Sequence, residues 1–304
     1  MIERLKKFFP TSIRTIAVVS PAGFPEAGKY AAELQLLRSA NFNIKEYLPC
    51  RNVNTPSYLA GDAIDRIRAF NRAVNDPEVD LILCSRGGFG CVHLLEQIDY
   101  ATLRKRNLPV MGYSDITALH CAMLAKNSGA AIAGSNLLGI SKIAGDDFSY
   151  QAHRAALSKE KTVITLPQAL ESLPNDAMQN QITAKAYAAN LTVLASLCGT
   201  EYLPDFKNMI LILEDINEAV YKLDRMLNQL ALNGVFRNIS ALVFGDFSGS
   251  EATEAAALME RFARTLQVPC FKNFPFGHTL PVCAINSQRA ITLQSSDQLY
   301  FEAF

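Results

Sequence analysis

Leu108-Pro-Val-Met-Gly-Tyr-Ser-Asp-Ile-Thr-Ala-Leu-His120 reads as a short apolar strand turning sharply into a helix. Val110 and Met111 enter, Gly112 to Asp115 make the bend, and a helical pattern leaves from Ile116. In a nucleophile elbow this bend lifts a serine hydroxyl clear of the sheet. Small neighbours let the backbone fold tightly, and the next residue's N–H faces a developing oxyanion. Gly112 is the small residue before Ser114, and Asp115 supplies the N–H; Ile116 stands where a second glycine is usual. Ser and Asp are also good helix N-caps, so the stretch alone leaves both roles open.

Outward from it, strands alternate with helices. Thr15–Val19, Asn43–Leu48 and Val79–Cys84 are β-rich apolar runs, and Ala27–Ala40 and Asp62–Val74 carry apolar residues at helical spacing. A further helix is expected over Val92–Ile98. Such alternation with short loops predicts an α/β fold, a mostly parallel sheet flanked by helices. Ligands on these sheets gather at the carboxyl ends of the strands. Pro21–Gly23, Arg86–Gly90 and Gly112–Asp115 then share one rim. The character changes near residue 141: Gly145-Asp-Asp147 and the charge run Ser158–Lys161 suggest exposed connecting chain with a short strand at Thr162–Leu166. The expected division is a domain over 1–142, a linker over 143–186 and a second domain over 187–304. In the latter, Met209–Leu213, Ser240–Phe244 and Ala290–Leu293 read as strands, and Thr192–Leu197, Ala219–Asn233 and Thr253–Leu266 as helices.

Composition narrows the function classes. The 304 residues suffice for two domains, and 29 basic residues against 29 acidic ones leave no field to hold nucleic acid. Seven scattered cysteines with no C-x-x-C pair argue for a reducing compartment and against a disulfide framework or a zinc site. The first apolar run, Ile16–Val19, is too short for a signal-peptide core. No run approaches the roughly 20 apolar residues of a membrane span. The chain reads as cytoplasmic, with neither membrane nor metal partner.

Ser85-Arg-Gly-Gly-Phe-Gly90 follows a buried strand and bares backbone amides at the rim. It lacks the G-x-G-x-x-G order of a dinucleotide site and the terminal Lys-Ser or Lys-Thr of a P-loop. It therefore suits an oxyanion or a plain tight turn better than a nucleotide, and no cofactor is expected. A nucleophilic serine needs a base, and there are four histidines. His93 and His120 fall on helices after rim loops, His120 nearly opposite Ser114 around its helix. His153 lies in the linker, and His278 sits in the Pro- and Gly-framed Phe274-Pro-Phe-Gly-His-Thr-Leu-Pro281. Glu214 ends an apolar strand, where a carboxylate is well held for orienting an imidazole. Asp215 would point the other way, and such acids are also favoured near helix starts.

In this order, Ser20-Pro-Ala22, Tyr58-Leu-Ala-Gly-Asp62, Arg86-Gly-Gly-Phe-Gly90, Gly112-Tyr-Ser-Asp-Ile-Thr117, Asn190-Leu-Thr192, Leu213-Glu-Asp-Ile216 and Tyr221–Leu227 resemble the LD-carboxypeptidase family. These are serine peptidases that include the microcin-immunity hydrolases. The resemblance implies a Ser–Glu–His triad of Ser114, Glu214 and His278, with an oxyanion hole from the backbone N–H groups of Gly88 and Asp115. It implies a smaller β-rich α/β C-terminal domain, a site between the domains, no metal, and a cytoplasmic homodimer. The implied substrate is a murein tetrapeptide losing its terminal D-alanine, with Arg86 a candidate for the substrate carboxylate. The immunity branch implies aminoacyl-nucleotide substrates instead, and a non-catalytic binding protein would use the same rim for a small anion. Two stretches depart from the family pattern: Ala133-Gly-Ser-Asn136 replaces a His-Gly-Pro, and Ala188-Ala-Asn-Leu191 replaces Gly-Gly-Asn-Leu.

Overall fold

The computed structural model describes residues 1–50, 55–175, 177 and 181–303. Five strands, β1 (Thr15–Val19), β2 (Asn43–Tyr47), β3 (Leu81–Cys84), β4 (Pro109–Gly112) and β5 (Ala130–Ala133), run parallel in the order β5-β4-β3-β1-β2. Every residue of β1 and β3 is buried, which explains their unbroken apolar character: a parallel sheet is covered on both faces. β2 lies at the edge and carries the polar alternation Asn-Ile-Lys-Glu-Tyr.

The second half builds another sheet. It contains β6 (Thr162–Thr165), β7 (Glu171–Ser172), β8 (Gln181–Asn190), β9 (Met209–Glu214), β10 (Ala241–Phe244) and β11 (Cys270–Lys272). After β12 (Ile285–Asn286), β13 (Ala290–Gln294) and β14 (Gln298–Phe301) complete it, in the order β6-β14-β13-β8-β9-β10-β11-β7. The central strands β8 to β11 are parallel and the flanking ones antiparallel. β12 leaves this sheet and pairs antiparallel with β5, so the late chain also closes the edge of the first sheet.

Two stretches differ from their sequence reading. After Gly90 the chain forms two single 3-10 turns, Cys91–His93 and Leu95–Gln97, and not the helix expected over Val92–Ile98. The helix starts later, at Tyr100–Arg106, where the Asp99 carboxylate accepts from the Thr102 N–H at 2.9 Å. The stretch read as connecting chain, 143–186, carries the end of helix Ile140–Gly145, all of Asp147–Leu157, the strands β6 and β7 and the start of β8. Residues 176 and 178–180 of it lie outside the described residues. β6 is an edge strand with two of its four side chains exposed, which accounts for its polar look.

The helix Ile116–Ala125 that leaves the elbow is buried from Ile116 to Met123. A helix apolar on all sides belongs in an interior, and this one packs with Tyr187, Leu191 and Leu194 of the second half in one continuous apolar cluster. Polar contacts cross the same seam. The Thr117 hydroxyl oxygen accepts the Asn190 N–H at 3.1 Å, and the Tyr187 hydroxyl donates to the Thr117 carbonyl at 3.4 Å. The start of the elbow helix is thereby tied to the end of β8.

Candidate active site

Ser114 stands between β4 and the buried helix with φ +66°, a left-handed conformation that costs a non-glycine residue about 1–3 kcal/mol. Its surroundings demand small residues. A Cβ on Gly112 would lie 2.8 Å from Asn136 Oδ1, which accepts the Tyr113 N–H at 3.3 Å. A Cβ on Gly87 would lie 2.8 Å from Ser114 Cβ. The helix N-cap is Asp115, yet its side chain makes no capping bond; the carboxylate turns back and accepts the Cys91 N–H at 2.9 Å. Burial pushes the Asp115 carboxyl up, while the Cys91 contacts and the nearby Arg66 and His93 pull it down.

Gly88 takes φ +114° on the neighbouring loop. Among the described residues, no protein acceptor takes the N–H of Gly88 or of Asp115. Gly88 lines the cavity beside Ser114; Asp115, next in the chain, is buried at 3% exposed and is not among the lining residues. The rim loops are fastened by a residue that sequence reasoning missed. Arg66 is almost wholly buried and donates to the carbonyls of Gly61 at 2.9 Å, Pro21 at 2.5 Å and Gly90 at 2.8 Å. Its available signal was a charge on the apolar stripe of helix Ala63–Asn75, in line with Phe70.

Glu214, at the carboxyl end of β9, is completely buried. Its Oε2 lies 2.9 Å from His278 Nδ1, and its Oε1 accepts from Asn190 Nδ2 at 3.1 Å. Burial raises the Glu214 carboxyl; the bond and charge of His278, and Asn190, hold the rise back. Burial alone would depress His278, but the hydrogen bond and charge of Glu214, with the charges of Asp215 and Asp246, outweigh it and raise the imidazole above its ordinary 6.5. The Tyr113 ring lies 5.0 Å from the imidazole, centroid to centroid. Asp215 sits behind Glu214, accepting the Thr192 N–H at 2.9 Å and the Asn190 amide at 3.0 Å.

The other histidines are engaged elsewhere. His120 is buried against the Val110 carbonyl at 3.0 Å, and burial drops it to about 4. His153, also pushed down to about 4 by burial, bridges the Ser149 carbonyl at 2.7 Å and the Ser135 N–H at 3.0 Å. His93 faces Arg66 Nη2 at 3.0 Å.

Ser114 and His278 line one cavity of about 440 Å³, with Arg86, Gly88, Asn136 and Lys142 among its other walls. Arg86 is exposed and donates to the Phe24 carbonyl at 3.2 Å. Of the two departures, Asn136 reaches the cavity wall, whereas Ala188 and Ala189 are buried in β8. Among the described residues, no group of three or more His, Cys, Asp or Glu could hold a metal, and no helix is long and apolar enough to cross a membrane. All seven cysteines are free thiols.

This arrangement can be set beside known proteins. The chain is 28% identical over 279 residues to the probable murein peptide carboxypeptidase of Bacillus subtilis, covering 89% of this chain and 86% of that one. It is 27% identical over 273 residues to the murein tetrapeptide carboxypeptidase of Pseudomonas aeruginosa, covering 86% and 87%. The fold matches the crystal structure of muramoyltetrapeptide carboxypeptidase from Oxalobacter formigenes with a TM-score of 0.81 and 24% identity, over 95% of this chain and 99% of that one. The family model for the LD-carboxypeptidase N-terminal domain matches residues 16–134, across the first sheet and the elbow. That for the C-terminal domain matches residues 183–293, from β8 through the His278 loop, and with both halves accounted for the chain belongs to the LD-carboxypeptidase family.

Proposed function

We propose that this chain is a serine-type LD-carboxypeptidase that hydrolyses the amide between the L-centre of meso-diaminopimelate and the terminal D-alanine of murein tetrapeptides. The observation that carries the reading is the Glu214–His278 pair at 2.9 Å, with its imidazole on the wall of the cavity that Ser114 also lines. With Nδ1–H donated to Glu214, the imidazole presents Nε2 as a base. Ser114 Oγ adds to the scissile carbonyl as His278 takes its proton, and Glu214 stabilises the imidazolium. The Gly88 and Asp115 N–H groups, which have no acceptor of their own among the described residues, receive the oxyanion. Each such donor contributes about 3 kcal/mol to the transition state. His278 then protonates the departing amine, and water attacking the acyl-enzyme by the same path regenerates Ser114.

The substrate class follows the printed names of the relatives, murein peptide and murein tetrapeptide carboxypeptidase. Seven free thiols suit a reducing compartment, and the proposed unit is a cytoplasmic homodimer, as the family resemblance implies. The deciding experiment incubates the protein with L-Ala-γ-D-Glu-meso-diaminopimelate-D-Ala and follows D-alanine, alongside Ser114→Ala and His278→Ala. Release by the wild type, lost in both variants, is expected. Release that survives Ser114→Ala overturns the nucleophile. No release from folded wild type overturns the substrate and directs the assay to aminoacyl-nucleotides.

A further inference from the structure

The cavity that holds Ser114 has two cations in its wall, Arg86 and Lys142, and no carboxylate among its lining residues. Such a wall suits an anionic ligand, and the two cations differ in what they already hold. The Arg86 guanidinium donates to the Phe24 carbonyl and packs over Gly23. Lys142 is exposed at the cavity edge and makes no ion pair or side-chain hydrogen bond among the described residues. Glu33, the acid that feels its charge, has its carboxylate taken by the N–H and hydroxyl of Ser141. The Lys142 ammonium is therefore the uncommitted cation of the site.

Its position selects which substrate charge it meets. In the proposed reaction, on which this inference rests, His278 delivers a proton to the leaving nitrogen, so the departing D-amino acid lies on the His278 side. The chain just past His278 is fixed by the Val282 N–H, which donates to Ser149 Oγ at 2.7 Å on helix Asp147–Leu157. Lys142 lies on the short helix Ile140–Gly145 that leads directly into that one, and Leu280 and Val282 line the cavity with it. Arg86 belongs instead to the loop of Gly87 and Gly88, on the oxyanion side. We propose that Lys142 binds the free α-carboxylate of the departing D-amino acid and so makes the enzyme a carboxypeptidase rather than an internal peptidase.

The test uses Ser114→Ala protein, which can hold substrate without turning it over, and calorimetric titration with two ligands: the tetrapeptide acid and the same peptide ending in D-alaninamide. A lysine–carboxylate contact predicts roughly ten-fold or greater preference for the acid. Adding Lys142→Met should erase that preference, Lys142→Arg should retain most of it, and Arg86→Met should leave it in place. With Ser114 restored, Lys142→Met should raise KM for the acid far more than it lowers kcat. A preference that survives Lys142→Met, or that Arg86→Met removes in its place, overturns the assignment while leaving the peptidase reading intact. Equal binding of acid and amide before any change at Lys142 overturns it as well. No binding of either peptide to folded protein overturns the tetrapeptide reading and this inference with it.

Discussion

Asn190 and Glu214 are joined across adjacent parallel strands: Asn190 Nδ2 donates to Glu214 Oε1 at 3.1 Å, and the same nitrogen donates to Asp215 Oδ1 at 3.0 Å. Asn190 Oδ1 accepts the Val193 N–H, and its own N–H reaches the Thr117 hydroxyl one turn beyond Ser114. One residue thus relates the acid behind His278, through its side chain, to the helix that carries Ser114, through its backbone N–H. Without it, two buried carboxylates lose a shared donor. Asn190→Ala should destabilise the fold by about 1–3 kcal/mol and lower kcat more than it raises KM. Denaturant unfolding and steady-state kinetics on one preparation check both; a change in KM alone would count against the positioning role.

On the proposed mechanism, the raised imidazole of His278 sets the acid side of the pH profile. A general base acts in its neutral form, so kcat/KM should climb with pH and its midpoint should lie above the ordinary 6.5. Glu214→Gln removes the leading charge that raises it, leaving Asp215 and Asp246 and the burial that lowers it. The midpoint should then move to lower pH, even as the maximal rate falls. A midpoint that stays in place after Glu214→Gln would show that another group titrates.

Arg66 predicts a stability effect at a distance from the reacting atoms. Its guanidinium satisfies buried carbonyls from three separate loops, at Pro21, Gly61 and Gly90. Arg66→Met leaves the Pro21 and Gly61 carbonyls without a donor among the described residues, while Gly90 keeps the His93 N–H, and should cost on the order of 3 kcal/mol in urea unfolding. Arg66→Lys should recover only part, because an ammonium cannot match the guanidinium's fork. Activity should fall with it, since the Gly90 loop also carries Gly88.

These cases mark where sequence reading reaches its limit. β1, β3, β9 and β10 announce themselves as unbroken apolar runs because both faces of each are covered. Ser114, Glu214 and His278 were legible as residue types at a bend, a strand end and a framed loop, and their grouping came from the family resemblance. Less legible was β8, whose first half is an alternating polar strand and whose second half is alanine-rich. β6 was legible as the short strand at Thr162–Leu166, even though it is a half-exposed edge. The contacts of Arg66 and Asn190 were silent for a different reason. Their partners lie in distant segments, Asn190 to Thr117 spanning 73 positions, and only the packing of two sheets brings such pairs together. The late β12, returning to the first sheet, is another long-range event with no local signature.

Gly87 gives a steric prediction. A methyl there would meet Ser114 Cβ at 2.8 Å and Ser114 Oγ at 3.0 Å, and neither is the far end of a flexible chain. Gly87→Ala must push the elbow or its own loop aside, and a displacement of about 1 Å is enough to lower a rate on the order of 100-fold. Gly199→Ala is the useful comparison. Its φ is +82° but nothing lies within 4 Å of the added methyl. It should cost about 1 kcal/mol of stability and leave turnover at the wild-type level. Equal activity in the two variants would refute the close approach.

The conformation of Ser114 itself separates stability from activity. At φ +66° a side chain is strained and glycine is not. Ser114→Ala keeps a Cβ in the left-handed region, whereas Ser114→Gly removes the strain along with the hydroxyl. Both variants should be inactive, but Ser114→Gly should be more stable than Ser114→Ala by about 1 kcal/mol, because relief at a left-handed position exceeds glycine's extra freedom in the unfolded chain. The inactive pair should therefore differ in melting temperature, with the wild-type serine on the strained side. Identical melting curves for the two would mean that the elbow relaxes once the hydroxyl is gone, and that Ser114 is not held in place by its surroundings.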